Sequence, residues 1–316
     1  MSLDAFTVPS FAKINWQLSV LGRREDGFHE LHTIFQTVTL HDTLKFSARD
    51  DDAIYLTSDS RDLPLDESNL VVRAGLVLRN HYGINKGASI HLEKVIPLEG
   101  GLGGGSSNAA VTLLGLTQLW GIKATREELT QLGASLGADV PFFLTGGTAL
   151  GTGLGTSVSP IRESVAEHLL IVKPGAKVST AEAYHALNSP ALTKADSDII
   201  LSISRADEQF TDSYPNALHN DFEPVVFHLK PEIGRVKEAL LSAGARSALL
   251  SGSGSSVFGV FDNAEARGRA IRLLECESEW RLFPCSTLSR ANYLAALGSC
   301  AAPLLVEGAQ FFEKKS

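Results

Sequence analysis

The chain has 316 residues, 44% of them apolar and 20% charged, with a formal net charge of −8. That length favours two domains over one, and the composition suits a globular protein with a substantial core. The acidic balance argues against a polyanion-binding surface and therefore against nucleic acid, so anionic ligands must be met by a few placed groups. Cys276, Cys285 and Cys300 have no metal-ligand spacing and read as thiols of a reducing compartment. Residues 1–12 lack the basic and apolar segments of a signal peptide, and no apolar run reaches ~18 residues, so a cytoplasmic protein is expected.

From Phe11 to Val20 the sequence alternates. Ile14, Trp16, Leu18 and Val20 share one face of a strand, and Lys13, Asn15, Gln17 and Ser19 share the other. Alternation alone puts that second face in solvent. Arg24-Glu-Asp-Gly-Phe28-His29 reads as a turn, with Phe28 a core or lid aromatic and His29 a surface residue, before a strand from Thr33 to Leu40. Strand-like segments at Leu44–Ala48 and Ile54–Thr57 predict an antiparallel sheet, and the spacing predicts a helix over 69–80 with Asn69 as a possible cap.

The alternating residues Ile90, Leu92 and Ile96 then lead into Pro97-Leu-Glu-Gly-Gly-Leu-Gly-Gly-Gly-Ser-Ser-Asn-Ala-Ala110, which holds five glycines. A helix follows, with Ala109, Leu113, Leu116 and Trp120 at helical spacing and Ser106 or Ser107 placed as N-cap. Strand, glycine loop and helix start together make an anion site, because bare amides and the helix's positive end converge there. A polyphosphate fits it best. No lysine follows the glycines as in a P-loop, and Ser106 stands where a dinucleotide fingerprint needs its third glycine.

Further along, Thr125-Arg-Glu-Glu128 is a capping box opening a helix that Gly137 closes. Asp139, just ahead of Pro141, reads either as an N-cap or as a functional carboxylate. Gly151–Pro160 marks a domain boundary or a hairpin, ahead of a strand at 168–173. Tyr184 falls on a short helix, and the polar stretch Ser189–Thr211 around Ile199–Ile203 has no assignment. A helix over 231–243, a strand–glycine turn–strand from Ala248 to Phe261, a helix at Ala264–Leu274 and a strand near Leu282–Cys285 complete an α/β plait.

The loop from Pro97 to Ala110 resembles the ATP-binding motif of the GHMP kinases, and two other segments are similar to that family's remaining motifs. The resemblance implies that Pro97, Leu98, Glu99, Gly100, Gly101, Leu102, Gly103, Gly104, Gly105, Ser106 and Ser107 hold ATP, with Asn69 and Lys94 lining the adenine pocket. Glu99 departs from the family, which carries a small residue there; its carboxylate must point away from phosphate or meet magnesium. Pro9-Ser-Phe-Ala-Lys13-Ile-Asn15 resembles a first motif whose lysine is catalytic and whose asparagine touches substrate. Leu136–Phe143 is similar to a second catalytic motif, which makes Asp139 the general base. Asp26-Gly-Phe28-His29 implies a ring stacked on cytosine and a histidine on its edge, with Thr180 and Tyr184 closing that pocket and Tyr184 facing Phe28 across the base. Ala248–Phe261 resembles a third motif that approaches the phosphates.

The fold so implied is the α+β, two-domain GHMP kinase fold: an N-terminal ATP-binding domain over 1–160, a ferredoxin-like domain over 161–300, and a tail over 301–316 without a reading. The implied reaction passes the γ-phosphate of ATP, with Mg²⁺, to the tertiary 2-hydroxyl of a methylerythritol bearing a cytidine diphosphate handle. Partners would be that small molecule alone, without nucleic acid or membrane, in a monomer or weak homodimer. A GHMP kinase for a different alcohol is the nearest alternative, and Phe28-His29 with Thr180 and Tyr184 argue against it. A non-catalytic ATP sensor is the other, opposed by the pair Lys13 and Asp139.

Overall fold

A computed structural model describes residues 5–188, 190 and 218–305. Two long strands, β1 (Phe6–Arg23) and β2 (His29–Arg49), form an antiparallel hairpin registered from Phe6 opposite Phe46 to Arg23 opposite His29. Strand β2 runs unbroken through His41-Asp42-Thr43, where the sequence suggests two strands. Asp42 shares the face of Leu40 and Leu44 and is fully buried, so the polar interruption is structural.

Strand β3 (Ile54–Ser58) pairs in parallel with β4 (Gly87–Glu93), which lies antiparallel to β2. The sheet is therefore mixed, not purely antiparallel as expected. Strands β5 (Thr148–Gly153) and β6 (Ser157–Pro160) extend the other half of β2, so Gly151–Pro160 is a hairpin of this sheet. Helices α1 (Leu70–Tyr82), α2 (Gly104–Trp120), α3 (Arg126–Leu136) and α4 (Val140–Phe143) belong to the same half. Helix α2 is buried continuously from Ser107 to Thr117, which makes it the central helix of this core.

The second sheet comprises β7 (Leu169–Lys173), β9 (Ser247–Leu250), β10 (Val257–Val260) and β11 (Arg281–Cys285), in the order β11-β7-β10-β9, with every pairing antiparallel. Between β7 and β9 lies β8 (His219–Asn220), which instead joins β1 of the first sheet in parallel. Helices α5 (Thr180–Leu187), α6 (Glu223–Leu229), α7 (Pro231–Ser242) and α8 (Ala264–Leu274) cover the second sheet over Val172, Phe222, Val226, Ile233 and Leu240. This is the expected plait.

A third apolar cluster joins the sheets. Ile14, Trp16, Ile34 and Leu102 meet Leu169, Ile171, Leu249 and Phe258, with Trp16 edge-on to Phe258 at 5.4 Å. Burying each large side chain there is worth about 1.5–3 kcal/mol, so the apolar face of β1 fixes one sheet against the other. After β11 the chain returns to the first core. Helix α9 (Arg290–Leu297), a 3₁₀ turn and α10 (Ala302–Leu305) seat Tyr293, Leu297, Cys300, Ala301 and Leu304 there. The tail over 301–316 thus begins as packed structure; 306–316 lie outside the described residues, as does most of Ser189–Thr211 with its Ile199–Ile203 run. Among the described residues no helix is long and apolar enough to cross a membrane.

Candidate active site

The first half of the polar face of β1, expected in solvent, is buried: Lys13 is 3% exposed and Asn15 is 1%, while Gln17 and Ser19 are half-buried. The second sheet covers one side of β1, and the glycine loop closes over the other, where Lys13 N–H donates to Leu102 O at 2.9 Å. Such a buried ammonium needs partners. Lys13 Nζ donates to Asn15 Oδ1 at 2.7 Å and lies 5.6 Å from the Phe35 ring centre. Asn15 Nδ2 donates to Thr33 Oγ1, and that hydroxyl donates to Gln17 O, both at 2.7 Å. The chain of oriented bonds fixes the lysine head.

Asp139 stands at the start of α4 with φ −82° and ψ −11°, and its side chain makes no cap hydrogen bond. The capping alternative therefore fails. Its Oδ2 lies 3.6 Å from Lys13 Nζ, an ion pair too long for a hydrogen bond, and the side chain is 32% exposed. The carboxylate is thus held beside the ammonium but open to the cleft.

Opposite this pair, α2 begins at Gly104 with Gly103 as N-cap at φ 68° and no capping side chain. Neither Ser106 nor Ser107 caps the helix. Ser107 is buried, with its Oγ 2.7 Å from Ser10 Oγ, and its N–H already reaches Gly103 O at 2.8 Å. The amides of Gly104, Gly105 and Ser106 precede that first helical bond and remain for an anion at the positive end of the helix. The second sheet clamps the loop through Ser256 N–H to Gly100 O at 3.1 Å and Ser251 Oγ to Gly101 O at 3.0 Å. At Gly101 (φ 72°) an added Cβ would fall 2.0 Å from Ser251 O, so only glycine permits this approach. The serine–glycine turn between β9 and β10 is itself held by Asn220 Nδ2, which donates to Leu250 O and Gly252 O at 2.8 Å.

Lys13, Asn15, the loop from Pro97 to Ser106, Asp139, Thr180 and Tyr184 line one cleft of 340 Å³. A second cavity of 940 Å³ adjoins it across Pro97–Glu99, bounded by Asp59, Pro64, Lys94, Lys173, Lys177 and Arg281 among others. Lys94 lines both; its side chain is buried and paired with Asp42 at 2.7 Å, and its pKa is lowered by burial in spite of that carboxylate. It is no solvated strand residue. Asn69 lines neither cavity. Its Oδ1 accepts from Val71 N–H at 2.9 Å and its Nδ2 donates to Pro64 O at 2.7 Å, so it caps α1 and holds the cavity wall from behind. Glu99 points out of the loop, 3.2 Å from Lys177.

The expected pyrimidine side is arranged differently. Phe28 is 62% exposed at the β1–β2 turn, and the ring facing Tyr184 is that of His29, stacked at 4.7 Å and 28°. Phe28 precedes β2 whereas His29 opens it, and consecutive side chains near a strand leave on opposite sides. The expectation sets Phe28 across a bound base from Tyr184; the ring that lies on Tyr184 here is that of His29. Burial first, and the Arg23 charge second, lower the His29 pKa. Burial, reinforced by the nearby Asp139 charge, pushes the Tyr184 phenol up to about 12. Thr180 Oγ1 lies 3.0 Å from Ser253 Oγ, joining α5 to the serine–glycine turn. The sequence reading missed Thr33, Asp42, Asn220 and Lys177. Asp42 had a signal, its shared parity with Leu40 and Leu44; Asn220 had none.

Residues 69–147 match the GHMP kinases N terminal domain, and residues 202–277 match the GHMP kinases C terminal domain. A 4-diphosphocytidyl-2-C-methyl-D-erythritol kinase of Syntrophotalea carbinolica is 42% identical over 281 residues, covering 89% of this chain and 98% of the relative. A crystal structure of 4-(cytidine 5'-diphospho)-2C-methyl-D-erythritol kinase superposes with a TM-score of 0.73 at 32% identity, over 89% of this chain and 99% of that one. A homoserine kinase from Cytophaga hutchinsonii, 23% identical with a TM-score of 0.68 over 92% of this chain and 96% of its own, shares the fold. The chain belongs to the 4-diphosphocytidyl-2-C-methyl-D-erythritol kinase family and has the two-domain α+β fold of the GHMP kinases.

Proposed function

We propose that this cleft transfers the γ-phosphate of ATP to the 2-hydroxyl of 4-diphosphocytidyl-2-C-methyl-D-erythritol, the reaction of non-mevalonate isoprenoid precursor synthesis. One observation carries the reading: Lys13 and Asp139, 3.6 Å apart, line the same 340 Å³ cleft as the uncapped start of α2. Asp139 takes the hydroxyl proton, its carboxylate being open to the cleft and unspent on capping. Lys13, fixed by Asn15, orients the hydroxyl oxygen and favours its developing negative charge. The amides of Gly104, Gly105 and Ser106 cradle phosphate, and the adenosine lies toward the 940 Å³ cavity beside Lys94. Thr180, Tyr184, Phe28 and His29 receive the cytidine handle, with the His29–Tyr184 stack opening to admit the base.

Among the described residues no three His, Cys, Asp or Glu gather as a metal cage. Mg²⁺ binds chiefly through substrate phosphates with one or two protein oxygens. The Ser106 hydroxyl, which lines the cleft, is the group that would hold it. Bound there, the ion neutralises phosphate charge. We place the enzyme in the cytoplasm, in keeping with its three free cysteines, as a monomer or weak homodimer.

The test is to give the purified protein ATP and a panel of alcohols, each with and without a cytidine diphosphate handle. Turnover confined to the methylerythritol bearing the handle is expected. Equal turnover of bare alcohols would remove the cytidine pocket, and ATP binding without any turnover would favour the sensor alternative.

A further inference from the structure

Glu99 is the one acidic side chain within the phosphate loop, and it lines both cavities. A nucleotide spanning the two must pass it, and a carboxylate there opposes a triphosphate. Its backbone sits at φ 52°, in the left-handed region that favours glycine, so something must hold it. Three contacts do, all from the other sheet's half of the molecule. Ser255 N–H and Oγ donate to Glu99 O at 3.4 and 3.5 Å, and Lys177 Nζ lies 3.2 Å from Glu99 Oε2.

Lys177 belongs to the segment between β7 and α5, so the ion pair crosses the mouth from one sheet to the other. A second ammonium, Lys173, is nearby but engaged: it donates to Pro174 O at 2.9 Å and Ala176 O at 3.2 Å. Burial first and the Lys177 charge second lower the Lys173 pKa, while Glu99 opposes them, as expected for three charges in mutual range. Lys177 is the one of the two that reaches Glu99.

We infer that Lys177 is a positioning residue for the nucleotide: it holds the Glu99 carboxylate away from the glycine loop and cancels its charge. The inference rests on the reading of this loop as the triphosphate site. Its value lies in making an acidic residue tolerable where phosphate must lie. Removing Lys177 frees the carboxylate to turn toward the loop, and the harm depends on Glu99 being charged.

The experiment titrates the full chain with ATP and, separately, with uncharged adenosine, using wild type, Lys177→Ala, Glu99→Gln and the double variant. Both side chains are largely exposed, at 73% and 59%, so the variants should fold. Lys177→Ala is expected to weaken ATP binding about two- to five-fold at low salt, the scale of an exposed charge interaction. Adenosine binding should not change, which also controls for folding. The ATP loss should vanish in the Glu99→Gln background and shrink near ~1 M salt, where screening acts within ~3 Å. An equal ATP loss in both backgrounds would mean that Lys177 touches the nucleotide itself and would overturn the inference. A parallel loss of adenosine, or no loss at all, would overturn it too. Wild-type protein binding ATP no better than adenosine would instead bring down the phosphate role of the loop, and the inference with it.

Discussion

The two ends of the cleft are built to different standards. At the phosphate end the lysine and the glycine loop are held before any ligand arrives: Lys13 by Asn15, Asn15 by Thr33, the loop by Ser251 and Ser256. At the proposed cytidine end, Phe28 stands 62% exposed outside the cleft's lining, and His29 stacks on Tyr184, which does line it. Phosphoryl transfer offers the protein little covalent chemistry, so its rate depends on prepositioned charge. Recognition of a flat base tolerates rearrangement, because a stack can be exchanged ring for ring. Rigidity is therefore placed where electrostatics must act without delay.

The sharpest way to break the comparison is at the phosphate end. Asp139→Asn keeps the side chain's shape and removes the base. It should leave ATP binding intact and cut turnover about 10²-fold or more. Single-turnover rates alongside ATP titrations check this. Near-normal turnover would take Asp139 out of the mechanism and leave the rigid end without its proton acceptor.

That rigid end was also the more legible in sequence, and the reason is physical. A phosphate cradle needs glycines at fixed places, because Gly101 and Gly103 adopt φ 72° and 68° against neighbours that leave no room for a Cβ. Backbone demands of that kind are written in residue type. The burial of Lys13 was not legible, since alternation describes one sheet face at a time and says nothing of what packs on the other. Nor was Asn220 legible, whose two hydrogen bonds hold a turn 30 residues later in the chain. The Ser106 and Ser107 caps failed because α2 already begins at Gly104, behind Gly103 as N-cap, which puts both serines inside its first turn. The unbroken β2 escaped because Asp42 is buried by its hydrogen bonds to Val95 N–H and Ile96 N–H, which local polarity does not reveal.

At the cytidine end, Phe28→Ala removes an exposed ring that braces no core, so stability should change by no more than about 0.5 kcal/mol. The KM for the cytidine substrate should rise about tenfold, the scale of one base–aromatic stack, while ATP affinity stays as it was. Equal losses for both ligands would contradict the division between the two ends.

The smallest expected effect concerns the His29–Tyr184 stack and its response to acid. Burial and Arg23 hold the His29 pKa below its ordinary 6.5, so the folded ring resists a proton that the unfolded ring accepts. Below that ordinary value the unfolded state binds more protons, and stability falls with falling pH until the folded ring titrates as well. The contribution is thus fully present above pH ~6.5 and lost on acidification. Tyr184, the ring stacked on His29, is raised to about 12 and stays neutral over this range. The urea midpoint of wild type relative to His29→Gln should therefore be most favourable above neutrality and decline toward acid pH. A difference independent of pH would mean that His29 holds its place by shape alone, and that protonation does not unlock the base-binding end.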